Sequence, residues 1–500
     1  MGDDDNHYSN HHDSSKQIDN NNKDVDPLLT IRDEFNIDTE KFKAIVNGFN
    51  EECEHGLNAT SASGLATMIP SYVTRMPTGQ EKGTFLALDL GGSNLRVSAV
   101  DLLGDGQVHV VTEIRRTVSD EQRIGSTTDF FDWMADSVKE LLDNLSPHYH
   151  HQQQEDIVLV NGKHNQKQQS VAMGVCWSFP LDQTGICDGK ILRMGKGFTL
   201  DNIDGQDLAN LFHDAFQRKD INVTVTALLN DTVGTLVAHA YSNPGACVGF
   251  IHGTGVNAAY PEKQSRIVKK GDDSENDNIM LVNTEIDIFG NPDYLPLTRF
   301  DKALDAHHSQ PGFQAYEKMM AGGYLGELVR LIAIELITDD QYLFNGNIPE
   351  RLKKPWSFTT ATMSNLEKVE TDEEKLAIFG EWLETDCIND YVPTIEDMIR
   401  LSHICCIVSS RAAVLVAAGI AAMIERQNVI ITSDDPIIIG VNGSTFEKYP
   451  NMQQRVNEAL RRYFGDIIFQ RIRLGVARDG GSIGGALVAM LYSQSANDKW

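Results

Sequence analysis

Cysteine is scarce in this sequence: seven in 500 residues, an odd number, scattered along the chain. No Cys-x-x-Cys pair occurs, and Cys405 and Cys406 stand side by side. That excludes a disulfide framework and points to reduced, buried thiols. Basic residues are also few, 43 against 71 acidic, for a net charge of -28. Phosphate backbones and anionic membranes attract Lys and Arg, so this balance argues against a general nucleic-acid or membrane binder. No apolar run of about 18 residues stands out as a membrane span. The longest candidate, Ala412–Ile424, lies between Arg411 and Glu425 and reads as a buried helix. The N-terminus is rich in Asp, Asn and His rather than basic and then apolar, so no secretory signal is read and the cytosol is the expected compartment. No Gly-x-x-x-x-Gly-Lys-[Ser/Thr] occurs, which removes the P-loop enzymes, and no zinc-type spacing occurs.

What is present is enough apolar sequence, 41%, for a sizeable core, in a chain too long for one ordinary domain. Residues 1–28 read as a disordered polar tail, its His7, His11 and His12 included. Polar stretches at about 146–170 and 262–278 read as surface insertions or loops. Between them, short apolar runs predict strands at Phe85–Leu90, Leu95–Val100, Val171–Val175, Val223–Leu229, Cys247–His252 and Pro436–Val441. Helical spacing appears at Phe130–Leu145, Thr232–Tyr241 and Val408–Glu425. Strands and helices alternate, so the class is α/β. A glycine-rich turn follows an apolar strand twice, at Gly91 and at Gly253, as two similar lobes would require.

Five segments carry candidate chemistry. In LALDLGGSNLRVSAV a strand delivers Asp89 to its end, Gly91 and Gly92 permit a sharp turn, and Ser93, Asn94 and Arg96 follow. Successive backbone N–H groups in such a turn bind phosphate oxygens, although a plain hairpin also fits. VCWSFPLDQTG, with GKGF after it, reads as a connecting loop when taken alone. TALLNDTVGTLVA sends Asn230 and Asp231 out of a buried strand just before a helix. An Asp there is either an N-cap or a base at a cleft mouth, where phosphoryl transfer to an alcohol needs a proton acceptor. GFIHGTGVNAAY repeats the strand-then-glycine logic at Gly253, Thr254 and Gly255. IIIGVNGSTFEKYP ends a strand at Asn442, Gly443 and Ser444, where a base or ribose can lie against backbone.

In this order and at these intervals the segments resemble the eukaryotic hexokinase and glucokinase family. The resemblance starts at MIPSYVTRMPTGQEKGTFLALDLGGSNLR and runs through WSFP, LNDTVGTL, GTGVN, PGFQAYEKMMAGGYLGELVR, VSSRAA and GVNGS, covering the chain from about Met68 onward. It implies an α/β fold of the actin-like ATPase type with two lobes, each a mixed sheet flanked by helices. The expected division is 79–229 with a C-terminal helix at about 483–500 for the small lobe, and 29–78 with 230–482 for the large one. It also implies an ATP-dependent kinase acting on a sugar 6-hydroxyl, with Mg²⁺ bridging the phosphates.

Carried over by position, Asp231 would be the catalytic base, assisted by Lys196 and Arg96. Ser178, Phe179, Lys196, Asn230, Asn257, Glu285, Gln314 and Glu317 would surround the sugar. Gly91, Gly92, Ser93 and Asn94 match the first phosphate segment, Gly253, Thr254 and Gly255 the second, and Gly443 and Ser444 the adenosine segment. Asp89 would place Mg²⁺ through water, with no direct protein ligand to the metal.

The sequence departs from the glucose enzymes of the family in two places. Met194-Gly195-Lys196-Gly197-Phe198 stands where Trp-Thr-Lys-Gly-Phe is usual, and Glu285-Ile286-Asp287-Ile288-Phe289-Gly290 stands where Glu, an aromatic and Gly are usual. Asn442 replaces an Asp at the adenosine segment, and Ala321-Gly322-Gly323 is a minor rearrangement. With the WSFPL wording, these changes resemble the fungal N-acetylglucosamine kinases, which puts that sugar ahead of glucose. A non-catalytic sugar sensor is the competing class. No membrane anchor is expected in the tail, and oligomeric state is not read.

Overall fold

Apolar segments that alternate with glycine turns build two sheets of the same plan. The computed structural model describes residues 26–59, 67–149, 159–161, 169–195, 197–270, 278–339, 341–383 and 391–493. Most of the polar tail, Lys196, Cys387, most of the 146–170 insertion, residues 271–277 and the last seven residues lie outside these.

The first sheet contains β1 (Lys82–Leu90), β2 (Asn94–Gly104), β3 (Gln107–Thr117), β4 (Gln169–Trp177) and β5 (Val223–Leu229), in the order β5-β4-β1-β2-β3. β1, β2 and β3 are antiparallel neighbours, and β4 and β5 continue from β1 in parallel. Leu159–Asn161 adds a short antiparallel strand to β4. The second sheet contains β6 (Ala246–His252), β7 (Val256–Lys263), β8 (Ile279–Asn283), β9 (Ile437–Asn442) and β10 (Ile472–Val476), in the order β10-β9-β6-β7-β8. Again the hairpin and its next strand are antiparallel, and the two later strands extend from the hairpin's first strand in parallel. Each hairpin turns at one of the two glycine segments, so the doubled motif in the sequence is a doubled unit of fold. Ile69–Pro70 pairs with the outer edge of β8.

Helices α1 (Thr127–Tyr149) and α2 (Leu208–Arg218) cover one face of the first sheet, where Phe131 and Phe212 meet edge to face at 4.9 Å. Helix α3 (Asp231–Ser242) follows β5 directly. α4 (Ala315–Met320) and α5 (Ile395–Arg426) pack with the helix Thr39–Asn58 in the core of the second lobe. α5 starts 13 residues before the Val408 expected from the sequence. Its first turn is set by a capping box between Thr394 and Asp397 rather than by apolar spacing. It is long and apolar enough to cross a membrane by length and composition, but 78% of its most apolar window is buried inside the fold, as a core helix requires.

α3 and the final helix α6 (Gly485–Tyr492) lie between the sheets. α6 rests on the first sheet, with Gly174 and Gly485 backbone to backbone. α3 rests on the second, where Leu236 and His239 sit over Gly249 and Gly440. Between the two helices, Gly234 faces Gly480 and Gly484, and a Cβ on Gly234 would stand 2.4 Å from the Gly480 carbonyl oxygen. Two lobes, each a mixed sheet flanked by helices, make this the actin-like ATPase arrangement.

Of the six described cysteines, all free, five are buried. Cys406 is exposed, which corrects the expectation of wholly buried thiols: it lies on the outer side of α5, whereas Cys405 faces the core.

Candidate active site

The register of the first sheet brings Asp89, at the end of β1, beside Arg96 on β2 and Cys176 on β4. Burial, then the charge of Asp231, pushes the Asp89 carboxyl up to about 6, against the pull of Arg96 and a hydrogen bond from the Cys176 thiol. The Arg96 guanidinium donates to Asp479 at 3.1 Å and lies 3.5 Å from Glu113. Beyond Asp89 the chain turns through Gly91–Asn94, closed by Gly91 N–H donating to the Asn94 carbonyl at 3.0 Å, with Ser93 and Asn94 exposed. Ser178 adjoins this turn, its N–H donating to the Leu90 carbonyl.

Asp231 is the first residue of α3. The N-cap is Asn230, whose side chain accepts from Thr232 N–H at 2.7 Å, so the Asp231 carboxylate is not needed as the cap. It stands where the helix dipole favours negative charge. Its charge reaches Asp89 of the first lobe and Glu285 of the second, raising both. This places it between the two sheets.

Opposite lies a carboxylate pocket. Asn257 on β7 and Asn283 on β8 both donate to Glu285 Oε1, at 3.0 and 2.6 Å. Glu285 has a left-handed backbone, φ 49°, and so does Gln314, φ 58°, just before α4. Gln314 donates to Asp287 Oδ2 at 2.6 Å. Glu317 on α4 accepts from Val256 N–H at 3.0 Å and from the Tyr324 hydroxyl at 3.2 Å. Burial, then the neighbouring charge of Asp287, holds Glu285 well above the usual carboxylate range, and Asp287 is raised by burial and then by Glu317. Non-glycine residues in the left-handed region cost energy and collect at functional sites.

The second glycine turn is held by backbone from two other segments. The Gly253 carbonyl accepts from Gly322 N–H at 2.8 Å and from the Thr445 hydroxyl at 2.9 Å, and Gly323 N–H donates to the Thr254 carbonyl at 2.9 Å. Gly443, at φ 127°, lies so close that a Cβ would stand 2.3 Å from the His252 carbonyl oxygen. The Gly253–Gly255 and Gly443–Ser444 segments are thus one surface, and the Gly253–Gly255 turn occupies in its sheet the place that Gly91–Asn94 occupies in the other.

A family model described as hexokinase matches residues 28–241, and a second, also described as hexokinase, matches 247–491. The chain belongs to the hexokinase family. Hexokinase-1 of Schizosaccharomyces pombe is 33% identical over 477 residues, covering 94% of this chain and 91% of that one. A glucokinase of Aspergillus niger is 32% identical over 498 residues, covering 94% and 97%. The solved hexokinase of Schistosoma mansoni, complexed with glucose, superposes with a TM-score of 0.75 at 31% identity, covering 93% of this chain and 98% of that one. This hexokinase is therefore a hexose kinase of the hexokinase and glucokinase type.

The hexokinase fold gathers Asn230, Asp231, Asn257, Glu285, Gln314 and Glu317 into one region, and groups the glycine segments as described. The Phe179 ring is buried between Trp177 and Phe198, at 5.5 and 5.2 Å. Lys196 lies outside the described residues. Asn283, Tyr324 and Asp479 were missed. Asn283 had a signal, since it ends the apolar strand run just two residues before Glu285. Tyr324 and Asp479 had none, because only folding brings them to Glu317 and Arg96.

The family implies a divalent metal with ATP. Among the described residues no cluster of three or more His, Cys, Asp or Glu could hold a metal ion. One buried carboxylate, Asp89, beside a phosphate-type turn does fit a Mg²⁺ that keeps its waters and takes its other ligands from phosphates. The metal would supply charge neutralisation there.

Asp287 also gives this hexokinase a testable pH response. Its carboxyl rises from an ordinary 3.8 to about 7 on folding, so the folded state holds the proton more tightly than the unfolded chain. The resulting stability is full at acid pH, declines between about pH 4 and 7 and is lost above. Asp287→Asn should therefore raise the unfolding temperature at pH 8 and lose that advantage at pH 4, as thermal scans at the two pH values will show.

Proposed function

We propose that this hexokinase transfers the terminal phosphoryl group of ATP to the 6-hydroxyl of a hexose, with Asp231 accepting the hydroxyl proton as the new O–P bond forms and ADP leaves. The observation that carries this reading is the station of Asp231 between Asp89 of one lobe and Glu285 of the other. A base there adjoins both a phosphate-type turn and a pocket of hydrogen-bonding side chains suited to sugar hydroxyls. Asn230, Asn257, Glu285, Gln314, Glu317 and Ser178 would orient the sugar. Gly91–Asn94 and Arg96 would receive phosphates from one lobe, Gly253–Gly255 from the other, and Gly443–Ser444 the adenosine. Positioning and charge stabilisation supply most of the rate in such a transfer.

For the sugar, the reading is N-acetylglucosamine ahead of glucose. Two observations support it. A Cβ at Gly195 would have no atom within 4 Å, so the wall is open where a Thr side chain would stand. Ile286 and Asp287 stand where an aromatic and Gly are usual, and Asp287 is buried and bonded to Gln314, so the wall beside Glu285 is altered. Glucose is favoured instead by the glucose-bound relative and by the glucokinase among the similar chains. A sugar panel in a coupled ADP-release assay separates them. A higher kcat/KM for glucose than for N-acetylglucosamine would sink the first reading. On that reading Gly195→Thr fills the opening. It should lower kcat/KM for N-acetylglucosamine by about tenfold or more while leaving glucose unchanged or improved, as one pocket contact commonly does.

A further inference from the structure

His252 is the last residue of β6, one position before the Gly253–Gly255 turn, and its side chain is fully buried. Its Nε2 lies 3.0 Å from the Met320 carbonyl oxygen. A carbonyl only accepts, so Nε2 carries the hydrogen and donates. Nδ1 is buried with no hydrogen-bond partner. Burial holds the imidazole's pKa down to about 4, so the ring is neutral. An aliphatic side chain would fill the same space without a buried, unsatisfied nitrogen, so packing alone does not account for a histidine here.

The bond's other end gives it meaning. Met320 closes α4, the short helix that carries Glu317. The α4 segment grips the turn at three points. Gly322 and Gly323 N–H groups donate across it, Glu317 accepts from Val256 just after it, and His252 donates to Met320 just before it. The first depends on backbone alone and the second on Glu317. The third exists only because residue 252 is a histidine.

We infer that His252 is a positioning residue whose Nε2–H fixes the register of α4, and with it Glu317, against the Gly253–Gly255 turn, so that sugar and nucleotide are held at one separation. This rests on the reading of Glu317 as a sugar ligand and of the turn as a phosphate site. A displacement of about 1 Å between two bound reactants is enough to slow transfer, because proximity and alignment carry much of the barrier reduction.

The test compares wild type with His252→Leu, which keeps bulk and loses the donor, and His252→Gln, whose amide restores one. The Leu variant should bind the best sugar of the panel within about twofold of wild type when nucleotide is absent. Its KM for Mg-ATP should rise and its kcat fall, each by about five- to tenfold, the scale of one buried hydrogen bond. The dependence of sugar affinity on Mg-ADP expected of wild type should be absent from the Leu variant, and the Gln variant should recover most of both effects. A folded Leu variant with wild-type constants would overturn the inference, and so would Leu and Gln variants impaired alike. If the Leu variant does not fold, the imidazole Nε2–H resonance of the wild-type enzyme decides. It should shift on addition of sugar and again on addition of Mg-ADP, and indifference to both ligands overturns the proposal. Failure of the underlying site reading looks different: Asp231→Ala would then turn over normally, whatever residue 252 does.

Discussion

Asp231→Ala is expected to lower kcat by about a thousandfold, within the range that a positioned general base contributes. Sugar affinity measured by calorimetry should stay within a few fold, because Asn230, Asn257, Glu285 and Glu317 remain. The fold should survive as well. The helix cap is Asn230, not Asp231, so the substitution removes no capping bond from α3. Removal of one of several close carboxylates also relieves the repulsion that raises Asp89 and Glu285. Lost turnover with retained stability and binding is the signature of a catalytic group. The same experiment separates an enzyme from a sugar sensor, whose wild-type turnover would already be negligible. An Asp231→Ala protein with near-normal kcat would remove the base from position 231.

Arg411→Ala is expected to have the largest effect on stability. Arg411 on α5 makes a two-pronged ion pair with Asp301, at 2.6 and 2.7 Å, with side chains 1% and 3% exposed. It also donates to the Met319 carbonyl, and its guanidinium lies 4.1 Å from the Phe35 ring centroid. Asp301 cannot be re-solvated once Arg411 is gone, and its remaining partner is Thr298. Loss of one member of a buried pair costs about 3–5 kcal/mol, against about 0–1 kcal/mol for an exposed pair. Urea unfolding followed by tryptophan fluorescence will show whether the midpoint falls accordingly. A shift no larger than that of an exposed pair such as Lys43–Glu40 would mean that the site relaxes and admits water. Because Met319 precedes Met320, a shaken α4 should also slow catalysis, but together with lower stability, unlike the expected effect at His252.

Much of this was legible in the sequence because glycine marks where backbone must turn. Val223–Leu229 matches its strand residue for residue, and both hairpin turns fall where Gly91 and Gly253 stand. The start of α5 was not legible from apolar spacing, since a capping box sets it. The packing of the Phe179 ring against Phe198 was not legible, because residues 19 positions apart share no local pattern. Asp287 was visible only as a departure. Its bond to Gln314 depends on two left-handed residues that no local pattern announces.

The crossing of α3 over the 480–485 segment has a mechanical consequence. Gly234, Gly480 and Gly484 meet there main chain to main chain, with the Thr235 side chain beside Gly480. A rotation of one sheet relative to the other can pass through this contact as through a bearing, and points close to a pivot travel least. Asp231 sits one helical turn from Gly234, so such a rotation would carry it less far than loops at the rim. A methyl group at residue 234 would be grit in that bearing.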